Sequence, residues 1–129
     1  VVGDRFVFQS EVFFDLGQAQ LKSAGMPELD KLASTIADLA REIPPDVNWV
    51  LRVDGHTDAR PMSGAGQFKS NWDLSTARAV SVVQYLISKG IPPNRIAAAG
   101  FGEFQPLELG DNDEVNRRNR RIEFKLTER

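Results

Sequence analysis

Two charged residues carry the clearest chemical potential in this sequence: Asp58, closing the segment Gly55-His56-Thr57-Asp58, and Arg78, within Asn71-Trp72-Asp73-Leu74-Ser75-Thr76-Ala77-Arg78. A carboxylate accepts hydrogen bonds from an ammonium group, and a guanidinium forks onto a carboxylate through two parallel hydrogen bonds. A ligand carrying both charges, as the α-carbon of an amino acid does, would satisfy the two at once. The same residues can instead pair with each other as a partly exposed ion pair, and on spacing alone that pairing is the commoner arrangement.

Elements must position these side chains. Trp49 to Asp54 alternates Trp49, Leu51 and Val53 against Val50 and Arg52, the period of a strand. Asp58 leaves its carboxyl end, where loops of α/β sheets converge on helix N-termini. A loop from Ala59 to Lys69 follows. Ser70 with Asp73 has the form of a capping box, so a helix is predicted from there to about Lys89, with Gly90 at its stop and Pro92-Pro93 beyond. On that helix Asn71 and Arg78, seven residues apart, fall nearly in line with Leu74 between them. The predicted core stripe is Ala79, Val80, Val83, Leu86 and Ile87. Arg78 then lies beside it, with its stem along the fold and its guanidinium at the edge.

The rest of the chain supplies the frame. Arg5 to Phe14 reads as extended, closed by Asp15-Leu16-Gly17. Met26 to Ile43 places Leu29, Leu32, Ile36, Leu39 and Ile43 on one helical face, and Pro44-Pro45 ends it. Ile96 to Phe101 is a short apolar strand. Gly102 to Asn119 is polar, with loops and one helical turn, and Arg121 to Leu126 alternates with Ile122, Phe124 and Leu126 on one face. The order β-α-β-α-β-β predicts an α+β fold: a two-layer sandwich in which helices cover a four-stranded mixed sheet. The strand order does not follow from the sequence.

Bulk properties exclude several classes. The chain has 129 residues, 41% hydrophobic and 26% charged, the composition of one globular domain spanning 1–129 with 1–10 as an extended lead-in. There is no cysteine, hence no disulfide framework and no thiolate metal site. The net charge of −2 gives no reason to expect nucleic acid or an anionic membrane as partner. No apolar run approaches the roughly 20 residues of a membrane span. The start at Val1 predicts a fragment of a longer chain, with any signal or anchor upstream.

Other constellations are weaker. His56 with Asp54 and Asp58 has metal-ligand residue types, but a lone imidazole in a sheet-edge turn is more often a hydrogen-bonded structural group. Asp54 and Asp58 could be read as the carboxylate pair of a glycosidase, yet nothing supplies a raised pKa or substrate distortion. No Ser-His-Asp arrangement is evident, and Gly100-x-Gly102 lacks the rest of a dinucleotide fingerprint. Arg117, Arg118, Arg120 and Arg121 form the basic cluster, but Asp111, Asp113 and Glu114 precede it and no aromatic residue interleaves it. The expected reading is a solvated strand entry with Arg120 turned toward the site. The stripe from Leu29 to Ile43 also fits a heptad seam, although core packing is the commoner use. No cofactor, metal or catalytic residue is predicted.

Taken together, Gly55-His56-Thr57-Asp58 and Asn71-Trp72-Asp73-Leu74-Ser75-Thr76-Ala77-Arg78-Ala79 resemble the paired signature of the OmpA-like peptidoglycan-binding domain. Ala98-Ala99-Gly100-Phe101-Gly102-Glu103 with Gln105-Pro106 resembles its glycine-aromatic-glycine strand and turn. Asn119-Arg120-Arg121-Ile122-Glu123 resembles its closing strand, and Phe13-Phe14-Asp15 its opening one. These matches run in family order from Phe13 to Phe124. Asn71-Trp72 and the long loop after Asp58 look most similar to MotB-like members. The resemblance implies non-covalent binding of the peptidoglycan peptide stem, chiefly meso-diaminopimelate, in the periplasm of a Gram-negative bacterium. It implies attachment to the inner or outer membrane through a segment outside this chain. Asp58 and Arg78 match the family's ligand positions, Asn71, Leu74 and Arg120 match its secondary contacts, and Thr57, counted with the ligand-binding residues, precedes the aspartate as in the family. Dimerisation is implied by MotB-like relatives, which leaves a structural homodimerisation domain as the alternative function. Ala59, where many members carry asparagine, and the stretch from Arg60 to Lys69 depart from the pattern at the rim of the pocket.

Overall fold

The structure, a computed structural model, describes residues 5–60 and 66–128. Part of the predicted 59–69 loop and the first residues of the predicted lead-in therefore lie outside the described residues. The elements are β1 (Arg5–Gln9), α1 (Met26–Glu42), β2 (Trp49–His56), α2 (Asn71–Ser88), β3 (Ile96–Gly102), α3 (Asp113–Asn119) and β4 (Arg121–Glu128). They form the expected α+β sandwich. The sheet runs β1-β4-β2-β3, with β2 parallel to β3 and β4 antiparallel to both β1 and β2.

The first strand is shorter than predicted. It stops at Gln9, and a tight turn over Ser10–Val12 follows, in which the amides of Phe13 and Phe14 both donate to the Ser10 carbonyl at 3.0 and 2.9 Å. The reason is burial: Phe13 and Phe14 are adjacent yet 0% and 2% exposed, and a strand with one buried face cannot bury two neighbours. Phe13 then packs edge-on to Phe124 and tilted against Phe8, with centroids 6.4 and 5.5 Å apart.

In α1, Leu29, Leu32 and Ile36 are buried as predicted together with Ala33, while Leu39 is exposed. This stripe is therefore core, packed with Leu51, Val53, Ile122 and Phe124 of the sheet. Each large side chain so buried contributes roughly 1.5–3 kcal/mol. The helix ends where Ile43 turns extended ahead of Pro44.

In α2 the Ser70 hydroxyl accepts from the Asp73 amide at 3.1 Å, as the cap predicts. The helix stops at Ser88, ahead of Gly90, whose φ is +108°. The buried side is rotated from the prediction. Val82 is fully buried and Val80 exposed, and the buried stripe continues through Asn71, Leu74, Ser75, Arg78 and Ala79.

That rotation has a backbone cause. Gly55 and Gly100 are register partners on β2 and β3. An ideal Cβ at Gly55 would overlap the Ser75 carbonyl, and one at Gly100 would lie 2.7 Å from the Thr76 nitrogen. The first half of α2 thus rests directly on the sheet backbone, close enough for the Ser75 hydroxyl to accept from the Gly102 amide at 3.0 Å.

Candidate functional site

The close approach of α2 puts Arg78 under the turn that follows β1. Its Nε donates to the Gln18 carbonyl at 2.8 Å and its Nη2 to the Asp15 carbonyl at 3.1 Å. The guanidinium carbon sits 5.0 Å from the centre of the Phe14 ring. Only 4% of Arg78 is exposed, so the guanidinium is more deeply enclosed than an edge position beside the apolar stripe would make it. Burial pushes its pKa down to about 10, with Arg120 pushing the same way and Glu11 and Asp58 opposing.

Asp58 approaches from the end of β2 and is buried. Its Oδ1 accepts from the Arg60 amide at 3.1 Å and its Oδ2 from Arg120 Nη1 at 2.7 Å, while Arg120 Nε reaches Glu11 at 2.6 Å. The partner of Asp58 is thus Arg120 and not Arg78, so the direct pairing that spacing favoured does not occur. Asp58 nonetheless lies near enough to act electrostatically on Arg78. Burial lowers the Arg120 pKa, but Glu11 and Asp58 outweigh it and the net shift is upward.

A cleft of about 200 Å³ opens between these groups, lined by Ser10, Glu11, Phe14, Leu16, Arg60, Arg78 and Arg120. Asp58 stands behind Arg120 and is not itself a lining residue. Thr57, Asn71 and Leu74 do not line it either, and the first two act on the backbone instead. Thr57 donates its amide to the Gly102 carbonyl at 2.8 Å and its hydroxyl to the Asp58 carbonyl at 2.8 Å. Asn71 Nδ2 lies 3.3 Å from the Asp58 carbonyl, 3.0 Å from that of Arg60 and 3.3 Å from Glu103 Oε1. Leu74 is a buried residue of α2.

Residue pattern missed Ser10, Glu11, Phe14 and Leu16, because the turn after β1 read as strand. Ser10 stands out among them: its hydroxyl is buried with no hydrogen-bond partner among the described residues, and it lines the cleft. The site therefore offers a guanidinium held in place by backbone carbonyls, with the Ser10 hydroxyl buried in its wall. Arg78 uses Nε and one Nη2 hydrogen on those carbonyls. Among the described residues its Nη1 group is uncommitted, and this suits a carboxylate approaching end-on.

A second polar cluster occupies the sheet face away from the helices. Asp54, His56 and Glu123 place ligand-type atoms within 4.8 Å of one another, with Glu123 in place of Asp58 in the set considered from sequence. Glu123 enters through its β4 register opposite Asp54, which sequence spacing cannot reveal. Each carboxylate is already engaged by guanidinium: Asp54 by Arg52 at 2.8 and 2.9 Å, and Glu123 by Arg121 and by Arg5 at 2.7 Å. A divalent cation would have to enter among those three positive groups. Burial, then Arg121, holds the His56 pKa down at about 4, and its ring stacks on Phe101 with centroids 5.0 Å apart. Asp54 and Asp58 are thus divided between two sites with separate arginine partners, which is not the geometry of a hydrolytic pair sharing one bond.

Three of the four arginines in the basic cluster are paired, and the fourth, Arg117, is exposed. Arg118 pairs with Glu108 and Glu114, Arg120 with Glu11 and Asp58, and Arg121 with Glu123. The expectation that Arg120 turns toward the site is met. A phosphate-binding patch would need these charges uncompensated.

Comparisons with known proteins agree with this architecture. The OmpA family profile matches residues 13–120. The uncharacterized protein YtxE of Bacillus subtilis is 40% identical over 120 residues, covering 92% of this chain and 46% of that protein. Outer membrane protein A of Bordetella avium is 38% identical over 122 residues, covering 95% of this chain and 57% of that one. The chain thus spans about half the length of these curated relatives. Among solved structures, a MotB-like protein from Desulfovibrio vulgaris superposes with a TM-score of 0.85 at 34% identity, covering 97% of this chain and 75% of that one. The cell wall anchor of the T6SS from Pseudomonas aeruginosa gives 0.82 at 26% identity, covering 97% and 81%. On these matches, this chain belongs to the OmpA family.

Proposed function

We propose that this chain is a non-catalytic module that grips peptidoglycan through the diaminopimelate of its peptide stem and anchors a larger assembly to the wall. Arg78 takes the ligand's carboxylate and Asp58 receives its ammonium. Arg120, already on Asp58, moves aside or shares that carboxylate, whose oxygens can each accept twice. Thr57 and Asn71 hold the turn that presents Asp58, and Leu74 supports the helix beneath. The setting we infer is the periplasm of a Gram-negative bacterium, with tethering through a region outside this chain.

One observation carries this reading: Arg78, a residue 4% exposed, lines a cleft, and its guanidinium is bonded to carbonyls without a carboxylate partner of its own among the described residues. A buried cation with no anion bonded to it is costly, and an anionic ligand relieves that cost. The solved cell wall anchor with a similar fold supports the same reading.

The test is a pull-down by purified sacculi of the wild type, Arg78→Ala and Asp58→Ala, with thermal melts to confirm folding. Both variants should lose at least tenfold in affinity, because removing one partner of a buried charged contact costs roughly 2–5 kcal/mol. Wild-type retention by a folded Arg78→Ala protein would refute the grip.

A further inference from the structure

Two dipeptides meet across the gap between α2 and the loop after β3. Asn71 reaches Glu103 at 3.3 Å on the buried side, and the next residues, Trp72 and Phe104, stack with centroids 5.0 Å apart and planes at 25°. The inner pair supports the backbone of Asp58 and Arg60, since the same Asn71 amide reaches both carbonyls. The outer pair does the opposite of what large aromatics usually do: Trp72 is 49% and Phe104 58% exposed. Mutual stacking occupies only one face of each ring, and the pair stands at the first turn of the helix that carries Arg78.

Resting on the peptidoglycan reading above, we propose that the Trp72–Phe104 pair is a stacking platform for a sugar ring of the glycan to which the stem peptide is attached. A pyranose presents a face of C–H bonds that packs on the electron-rich face of an aromatic ring, while its hydroxyls stay in water. A half-exposed, pre-stacked aromatic pair meets that need with little ordering cost, because stacking already fixes the two side chains. Its continuity with the Asn71–Glu103 pair places the platform beside the turn that presents Asp58, where a ligand held by its stem would bring its sugars close.

Two soluble probes separate this proposal from the reading beneath it: a disaccharide-bearing muropeptide, and the same diaminopimelate peptide freed of its sugars. Affinities are read by calorimetric titration, and because Trp49 is buried, a change in the wild type's intrinsic fluorescence on adding the sugar-bearing probe reports chiefly on Trp72. The wild type should bind the sugar-bearing probe roughly 3- to 10-fold more tightly than the bare peptide. Trp72→Ala should erase that difference while leaving affinity for the bare peptide unchanged. Phe104→Leu, which keeps apolar bulk but removes the ring, should do the same and serves if Trp72→Ala fails to fold. Equal weakening toward both probes, or no preference in the wild type, would overturn the platform while leaving the peptide grip standing. Binding of neither probe by the wild type would overturn the grip, and the platform with it.

Discussion

Replacing Arg78 by lysine keeps the charge and removes the fork, which makes it the sharpest probe of the proposed grip. Arg78 makes charge-assisted bonds to Gln18 and Asp15 at 2.8 and 3.1 Å and lies 5.0 Å from the Phe14 ring centre. A lysine ammonium on its flexible stem can satisfy one of those carbonyls and leaves the other buried and unmatched, a cost of roughly 1–3 kcal/mol. Against a domain stability of roughly 5–15 kcal/mol the variant should fold. Ligand binding should suffer more selectively. The end-on contact through Nη1 and Nη2 vanishes, and a loss of about 2 kcal/mol, the low end for a buried charged pair, is roughly 30-fold in affinity. Urea unfolding gives the first quantity and calorimetric titration with a diaminopimelate-containing muropeptide the second. A variant destabilised by the expected amount yet binding within twofold of wild type would show that Arg78 is a structural residue only.

Two further outcomes follow from the frame around the site. Gly55→Ala drives a Cβ into the Ser75 carbonyl, so α2 must lift from the sheet. A loss of roughly 1–3 kcal/mol in urea unfolding is expected, and it should come with weaker ligand binding through displaced Arg78; unchanged stability would refute the close-packing argument. His56 is held at about 4 when folded, against 6.5 as its ordinary value, so the unfolded chain binds more protons between those values and stability falls as pH drops through that window. The loss is about 3 kcal/mol at most and levels off below about 4. Asp54, raised by burial, opposes it in the lower part of the window, whereas Glu123, where Arg121 outweighs burial and lowers the pKa, adds its own loss below its ordinary 4.5. Urea curves at pH 7.5, 6 and 4.5 for the wild type and His56→Phe check this, since the variant should lack the His56 part of the slope.

Periodicity revealed the frame well and the site only partly, for a physical reason. Repeats at helical and strand spacing located α1, β2, α2 and β4 because burial of one face imposes those periods. The same logic misread Ser10 to Phe14, where two adjacent phenylalanines enter the core from a turn and an apolar run imitates a strand. It also misread the orientation of α2, choosing Val80 over Val82, because hydrophobicity alone cannot register a polar buried stripe of Asn71, Ser75 and Arg78. Asp58 and Arg78 stood out as residue types, but that Arg120 holds Asp58 depends on β4 lying between β1 and β2, a strand order no local pattern encodes.

The two arginines at the cleft differ in how replaceable they are, and the difference follows from what holds each. Arg120 bridges Glu11 and Asp58, two carboxylates on separate elements, and can trade either for solvent or a ligand group while remaining neutralised by the other. Among the described residues Arg78 is bonded to backbone carbonyls and packed on an aromatic ring, and its stem is fixed by a helix laid on glycines. A charge that cannot leave, and that among the described residues has no carboxylate bonded to it, gains most when a carboxylate arrives. A charge that is shared between anions can adjust at small cost. The proposed grip would therefore depend on Gly55 and Gly100 although neither residue lines the cleft: without that close approach, Arg78 would reach solvent and lose the burial that would make an anionic ligand worth binding.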